Sequence, residues 1–320
     1  MTPGAPFDSA VAGAPEGAEG WWLRADDGAR LRAVAWRGGR LGTALVFPGR
    51  TEFAEKYGRV AGELVARGLA VAVIDWRGQG LSDRHPRDAM LGHVRDFGDY
   101  QRDVAAVVRL ADTLGLPAPR YLVAHSMGGC IGLRALVERN GFEAAVFSAP
   151  MWGLNLRTAT KGLAAAIAVM AGGFGLGDRQ MPGTAARAGA LPFAGNVLTS
   201  DAEAFRWCLA QLTAHPELGL GSPSVAWTGG ALREARRVAR GPMPDVPALV
   251  LLGSEELVVA PADVRRVARR MPRGELVELP GARHEIFMER PQVTAEAWRR
   301  IDALLGRTGP AARVQAAAGA

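Results

Sequence analysis

Short runs of apolar residues alternate with amphipathic stretches along most of this chain. Runs of mostly apolar residues lie at 44–47, 70–74, 121–123, 144–147, 248–252 and 275–279. Strands that are buried on both faces of a parallel sheet have this pattern. Between the runs, apolar residues recur at helical spacing over 57–65, 100–111, 130–138 and 293–305. The alternation predicts strand-helix-strand units and therefore parallel strands.

Two regions depart from this alternation. Near the start, residues 21–24 and 31–36 flank the turn signal Asp26-Asp27-Gly28, which predicts an antiparallel hairpin at a sheet edge. From 151 to 240, glycines and tryptophans lie among helical fragments, and no buried strand is indicated. We expect an α/β fold with a mostly parallel central sheet flanked by helices, formed by 20–150 and 241–306. Residues 151–240 form an inserted helical cap, and 1–19 and 307–320 form flexible ends.

Composition and charge narrow the range of partners. The 320 residues are 48% hydrophobic, and Lys plus Arg exceed Asp plus Glu by 38 − 32 = 6, but the basic residues are scattered. We therefore expect a solvated surface, no nucleic-acid partner and at most a weak attraction to anionic membranes. No basic segment followed by an apolar stretch opens the chain, so the prediction is a cytoplasmic protein, peripheral at the membrane at most.

The cysteines indicate neither a disulfide framework nor a metal site. Cys130 and Cys208 are the only two, and they lie far apart without metal-ligand spacing.

The serine at position 126 follows a strand directly. Residues 121–123 run through Ala124 and His125 into Ser126, which predicts a tight turn between a strand and a helix. Side chains two residues to either side of such a serine must be small, and Ala124 and Gly128 meet this requirement. Ser126 is therefore a candidate nucleophile, although a chance serine-glycine turn is an alternative at this point.

Ligands of a parallel sheet bind beyond the carboxyl ends of its strands. After the run at 44–47, Gly49 lets the backbone turn so that the Arg50 N–H can point at a bound carbonyl, with the Met127 N–H as second donor. This pair would form an oxyanion hole, but taken alone the segment is more simply an ordinary Pro-Gly turn. Residues 75–82 follow the next strand. No lysine follows their glycines and no long glycine-rich loop precedes a helix, so they indicate a structural turn and not a nucleotide site.

The candidate base and acid follow Ser126 along the chain. Two histidines, His215 and His284, follow Ser126, and a histidine in this place along the chain fits the order serine, acid, histidine that the resemblance described below implies. His215 lies inside the cap, whereas His284 follows the last predicted strand, so His284 is preferred. The acid should follow residues 248–252, where Glu256 is the first choice and Glu255 its rival. A solvated acidic pair is the alternative.

Together these segments resemble the α/β-hydrolase superfamily. The Ser126 turn, residues 77–80, 253–256 and 281–285 have its order and spacing, and residues 48–52, 56–57 and 75–80 are similar to the bacterial lysophospholipase and monoacylglycerol lipase group. The sequence departs from the usual pattern at three positions. Ala124 replaces the first Gly of the turn, and Pro48 lies where monoacylglycerol lipases often carry His. Glu256 lies where Asp is commoner.

The resemblance implies a serine hydrolase that cleaves the ester of a single-chain lipid through an acyl-enzyme, with no cofactor or metal ion. Ser126 would be the nucleophile, His284 the base and Glu256 the acid, with Arg50 and Met127 N–H groups at the oxyanion. The apolar cap residues 163–170 would line an acyl channel or form the core of the cap. An esterase, lactonase or amidase for non-lipid substrates, and a binding protein without activity, are the alternatives.

Overall fold

A single twisted sheet runs through the computed structural model, which describes residues 1–156, 158–184 and 192–309. Its strands within these residues are β1 (Thr2–Pro3), β2 (Ala18–Arg24), β3 (Arg30–Trp36), β4 (Thr43–Phe47), β5 (Ala70–Ile74), β6 (Arg120–His125), β7 (Ala144–Ser148), β8 (Ala248–Gly253) and β9 (Gly274–Leu279). Their order is β1-β2-β3-β5-β4-β6-β7-β8-β9. Strands β5, β4, β6, β7, β8 and β9 are parallel to one another, while β1, β2 and β3 add an antiparallel edge that pairs with β5 through β3.

Helices cover both faces of the sheet. The α-helices within the described residues are α1 (Ser9–Ala12), α2 (Gly58–Ala66), α3 (Tyr100–Thr113), α4 (Met127–Glu138), α5 (Thr158–Gly173), α6 (Ala202–Ala214), α7 (Val225–Arg240), α8 (Pro261–Ala268) and α9 (Pro291–Thr308). Apolar residues of α3, α4, α7 and α8 pack in one core cluster, and those of α2 and α9 pack in a second cluster on the other face. Strands β4, β5, β7 and β8 are buried along their whole length, as their uninterrupted apolar runs predict.

The first nineteen residues are more structured than the predicted flexible end. They contain β1 and α1, Asp8 caps α1 by accepting a hydrogen bond from the Val11 N–H, and Ala12 is fully buried. The Phe7 ring packs edge-on against Trp36, with 5.5 Å between ring centroids. The glycine-rich and alanine-rich composition of this segment does not reveal the few residues that contact the core. At the other end, α9 extends to Thr308, and residues 310–320 lie outside the described residues.

Three helices lie between β7 and β8, where the cap is expected. In the described part of 151–240, α5, α6 and α7 occur without any strand of the central sheet. The apolar run 163–170 lies on α5, whose Ala164 packs with Met181, Val225 and Leu232. Most of the larger apolar side chains of this run face outward, so it supplies only part of a small cap core.

No helix within the described residues is long and apolar enough to cross a membrane.

Candidate active site

Ser126 lies at the turn between β6 and α4. Its backbone angles, φ 49° and ψ −116°, are unusual for a residue other than glycine. Gly128 makes the turn possible, since a Cβ atom at this position would lie 2.0 Å from the Phe47 carbonyl oxygen. The structure therefore gives Gly128 the steric role that the sequence assigns to it.

Ala124 lies opposite Gly132 of the following helix. A Cβ atom on Gly132 would lie 3.4 Å from the Ala124 Cβ, an ordinary contact distance, but 2.8 Å from Leu122 Cδ2. The missing side chain of Gly132 therefore makes room for Leu122, and the Ala124 methyl group fits against α4 without a clash.

The structure brings the three candidate catalytic side chains together in one hydrogen-bonded chain. His284 Nε2 lies 3.0 Å from Ser126 Oγ, and His284 Nδ1 lies 2.8 Å from Glu256 Oε2. All three residues are buried. Two backbone hydrogen bonds hold the loop that carries His284. The Glu255 N–H, just after β8, donates to the Ala282 carbonyl, and the Glu285 N–H donates to the Leu198 carbonyl in the cap.

The alternative residues lie elsewhere. Glu255 has a side chain that is 55% exposed and lies 3.6 Å from Arg283 Nε. His215 contacts Asp8 and Glu217, with its Nε2 3.0 Å from Asp8 Oδ2. Neither alternative has a hydrogen bond to His284 or Ser126 among the described residues.

Glu256 is held as a carboxylate. Its Oε1 accepts hydrogen bonds from the Val258 N–H at 2.6 Å and the Val259 N–H at 3.0 Å. Burial raises the pKa of Glu256, but the hydrogen bond and charge of His284, together with these N–H groups, hold the pKa below its usual value. A carboxylate fixed at Oε1 can use Oε2 to orient the imidazole and stabilise its protonated form.

The loop with Arg50 is fixed by residues of the 75–82 turn. Trp76 Nε1 donates to the Pro48 carbonyl at 2.9 Å, and Gln79 Nε2 donates to the Gly49 carbonyl at 2.7 Å. Met127 is the first residue of α4, and the first N–H groups of a helix have no acceptor within that helix. The Arg50 and Met127 N–H groups thus belong to two rigid elements beside Ser126.

These segments line a cavity of about 250 Å³. Its polar lining residues include Arg50, Thr51, Glu52 and Lys56. Its apolar lining residues are Met151, Leu154, Leu198, Trp227, Val258 and Val259. No residue of α5 lines this cavity, so the acyl channel predicted for 163–170 is not found there among the described residues.

Comparison with known proteins identifies the family. The model of the family described as "Serine aminopeptidase, S33" matches residues 40–291. The chain belongs to this family. It is 33% identical over 272 residues to lysophospholipase L2 of Escherichia coli, which covers 80% of this chain and 78% of the relative. It is also 26% identical over 260 residues to the probable lysophospholipase L2 of Haemophilus influenzae, covering 80% and 81%.

The fold of this family member also matches solved structures. The crystal structure of a soluble variant of monoglyceride lipase from Saccharomyces cerevisiae superposes with a TM-score of 0.72 at 20% identity, covering 95% of this chain and 99% of that one. The predicted α/β-hydrolase fold and the resemblance to the lysophospholipase and monoacylglycerol lipase group are confirmed.

A buried polar network beside the candidate triad is absent from the sequence-based predictions. Lys56 Nζ lies 2.5 Å from Glu52 Oε1 and 2.8 Å from Glu285 Oε1, and Tyr57 donates its hydroxyl to Glu52 Oε2 at 2.5 Å. His125 Nε2 lies 3.4 Å from Glu285 Oε2. The sequence offered one signal for this network, the i,i+4 spacing of Glu52 and Lys56.

The groups of this network shift one another's pKa values. Burial lowers the pKa of His125, but Glu285 and Glu52 outweigh burial and raise the pKa above its usual value. Burial likewise raises the pKa of Glu285, yet Lys56 and His125 hold it well below the usual value. Both carboxylates thus contact the Lys56 ammonium, and His125 lies beside Glu285.

Glu52, His125 and Glu285 could each offer a ligand atom to a metal ion, since these atoms lie within 4.8 Å of one another. A metal ion there would have to displace Lys56, whose ammonium already contacts both carboxylates. The donor set therefore fits an internal ion-pair network better than a metal site.

Proposed function

We propose that this chain hydrolyses the carboxylic ester of a single-chain lipid, a lysophospholipid or a monoacylglycerol, through an acyl-enzyme on Ser126. The observation that carries the proposal is the hydrogen-bonded chain from Glu256 through His284 to Ser126 at a cavity lined by both polar and apolar residues. The names of the relatives support a lipid ester as substrate.

In the proposed reaction, Ser126 Oγ attacks the ester carbonyl and His284 Nε2 accepts its proton. The negative charge on the carbonyl oxygen is stabilised by the Arg50 and Met127 N–H groups. His284 then donates the proton to the alcohol as the ester bond breaks. Water attacks the acyl-enzyme with His284 again as base, which releases the fatty acid and restores Ser126. The cycle requires only groups of the protein and water.

The family description suggests a peptide substrate. The charges of the cavity favour a lipid ester instead. An aminopeptidase has to bind the ammonium group at the start of its substrate, which needs an available carboxylate. Glu52 and Glu285, which line the cavity, both contact the Lys56 ammonium. Binding a second cation there would require breaking these buried pairs.

A substrate panel tests the proposal. We expect the purified protein to release fatty acid from a lysophospholipid or a monoacylglycerol at least tenfold more efficiently, in kcat/KM, than from an acetyl ester, and not to cleave amino-acid amides. Cleavage of short esters or amides alone would contradict the proposal and favour the non-lipid alternatives.

Specificity for the length of the acyl chain should depend on the apolar residues that line the cavity. Burying a methylene is worth about 0.8 kcal/mol, so kcat/KM on p-nitrophenyl esters should rise with acyl length until the apolar space is full. Leu154→Trp or Leu198→Trp would occupy part of that space and should shift the optimum to shorter chains.

Ala166→Trp is the matched control for these variants. Ala166 lies on α5 with its side chain exposed and does not line the cavity, so the optimum should not move. A wild-type profile that is flat from acetyl to dodecanoyl esters would contradict the lipid assignment.

We also propose that the cap contacts the membrane surface in which such substrates reside. Leu163, Met170 and Phe174 are 63%, 59% and 82% exposed, and their spacing places them on one side of α5 and its end. Burial of each large apolar side chain is worth about 1.5–3 kcal/mol, which supports insertion into a lipid interface.

Sedimentation with anionic lipid vesicles tests this contact. Met170→Asp with Phe174→Asp should lower the bound fraction at least fivefold. Leu41→Asp changes an apolar side chain that is 53% exposed and follows β3, outside the cap, and should leave binding as in the wild type. Equal binding of all three proteins would refute the contact through α5.

A further inference from the structure

Arg50 brings a positive charge to the catalytic cavity without an ion-pair partner. Its Nη2 donates to the Gly221 carbonyl at 2.7 Å, and its Cζ lies 4.9 Å from the centroid of the Trp227 ring. Its Nε is buried and has no hydrogen-bond partner. No carboxylate among the described residues forms an ion pair with Arg50.

The two most deeply buried cations among the described residues are paired. Arg32 contacts Asp75 at 2.7 Å and Glu55 at 2.6 Å, and Lys56 contacts Glu52 and Glu285. A buried charge without a partner is costly. Burial lowers the pKa of Arg50 to about 10, which still leaves it protonated at neutral pH. An unpaired buried cation in a catalytic cavity is a candidate for binding an anionic substrate group.

The Arg50 guanidinium is held in place. A Cβ atom on Gly92 would lie 2.5 Å from Nη2, so Gly92 leaves room for the guanidinium beside the Trp227 ring. Gly221 holds the same Nη2 from the cap. The guanidinium is thus positioned by the core, by the cap and by an aromatic face, and little conformational freedom remains to be lost on binding.

We propose that the Arg50 guanidinium binds the phosphodiester of a lysophospholipid head group and makes the enzyme favour lysophospholipids over monoacylglycerols. This inference rests on the proposed lipid ester hydrolysis at Ser126. Because the Arg50 N–H is assigned to the oxyanion, its side chain starts beside the reacting ester, and the glycerol unit of the substrate carries the phosphate away from that ester. Guanidinium groups bind phosphate oxygens through charge-assisted hydrogen bonds.

The other charged residues that line the cavity explain why Arg50 has this role. Lys56 is the other lysine or arginine among the described residues that line the cavity, and two carboxylates already neutralise it. A monoacylglycerol has a hydroxyl group where a lysophospholipid has its phosphate, so it would leave the Arg50 charge unpaired. Arg50 would therefore discriminate between the two head groups, while both substrates use the same acyl site.

The test compares lysophosphatidylcholine with the monoacylglycerol of the same acyl chain, both as monomers. In the wild type, kcat/KM should be at least tenfold higher for lysophosphatidylcholine. The ratio of the two values should fall at least tenfold in Arg50→Gln and less in Arg50→Lys, which keeps a positive charge. Any effect on the shared hydrolytic steps cancels in this ratio.

Arg59→Gln is the matched control. Arg59 also stacks on a tryptophan, with its Cζ 4.2 Å from the Trp207 ring, but it lies outside the catalytic cavity. The substitution removes the same charge and should leave the ratio unchanged. An unchanged ratio in Arg50→Gln, or an equal fall in Arg59→Gln, overturns the inference.

A measurement on the wild type alone covers the case in which the Arg50 variants do not fold. Glycerophosphocholine should inhibit monoacylglycerol hydrolysis with an inhibition constant at least tenfold lower than that of glycerol. Equal constants overturn the role of Arg50. If the wild type hydrolyses neither lipid, the proposed function itself fails, which is a different result from hydrolysis of both lipids without selectivity.

Discussion

Replacing Ser126 with alanine is expected to abolish ester hydrolysis while leaving the protein folded. Removal of the nucleophile from a triad lowers kcat by about 10⁴- to 10⁶-fold. The substitution removes one hydroxyl group, and alanine has to adopt the same positive φ that Ser126 already has. We therefore expect the free energy of unfolding to change by no more than about 1 kcal/mol. Fatty-acid release and thermal unfolding measure the two effects.

Labelling with a fluorophosphonate provides an independent measurement of the same prediction. The wild type should be labelled, Ser126→Ala should not, and Ser9→Ala, which changes an exposed serine of α1, should behave as the wild type. Turnover by Ser126→Ala at the wild-type rate would rule out the proposed mechanism.

Glu256→Gln is expected to lower kcat by about 10³- to 10⁴-fold. The Val258 and Val259 N–H groups bind Oε1 of Glu256 and would hold the amide oxygen of glutamine in the same place. The amide NH2 would then face His284 Nδ1 and donate to it. This arrangement puts the imidazole proton on Nε2, where His284 cannot accept the proton of Ser126.

Glu255→Gln is the matched control, since it makes the same chemical change at the neighbouring residue. The Glu255 side chain is exposed and its nearest cation is Arg283, so kcat should stay within about threefold of the wild type. A larger loss in Glu255→Gln than in Glu256→Gln would move the acid to Glu255 and contradict the geometry described here.

The parallel part of the fold could be predicted because its signal is local. Strands β4, β5, β7 and β8 are buried on both faces, so each had to appear as an unbroken apolar run. The antiparallel pairing of β2 with β3 follows from a turn signal between two short apolar patterns. Helix α8 had no comparable prediction, because only three of its eight residues are buried.

Candidate residues at the ends of strands could be predicted for the same reason. Ser126 follows β6 and Glu256 comes just after β8, and the carboxyl ends of parallel strands meet at one edge of the sheet. The order of Ser126, Glu256 and His284 along the chain therefore indicated a shared site before any distance was known.

Contacts between distant segments were decided by the tertiary structure alone. The pairing of Lys56 with Glu285 joins residues 229 positions apart, and no local pattern records it. The isolation of Arg50 depends on which carboxylates other segments bring near it. The exposure of the large apolar side chains of α5 could not be predicted either. A run of apolar residues has the same composition whether it faces a core, a cavity or the solvent.

The sequence by itself determined where the buried strands lie and which side chains follow them, because burial and backbone turning impose local requirements on residue type. Only the tertiary structure decided that Glu256 and not Glu255 reaches His284, and that residues 1–19 contact the core. Those outcomes depend on the direction of a side chain and on the packing of remote segments. The spacing of apolar residues records neither the direction of a side chain nor the packing of remote segments.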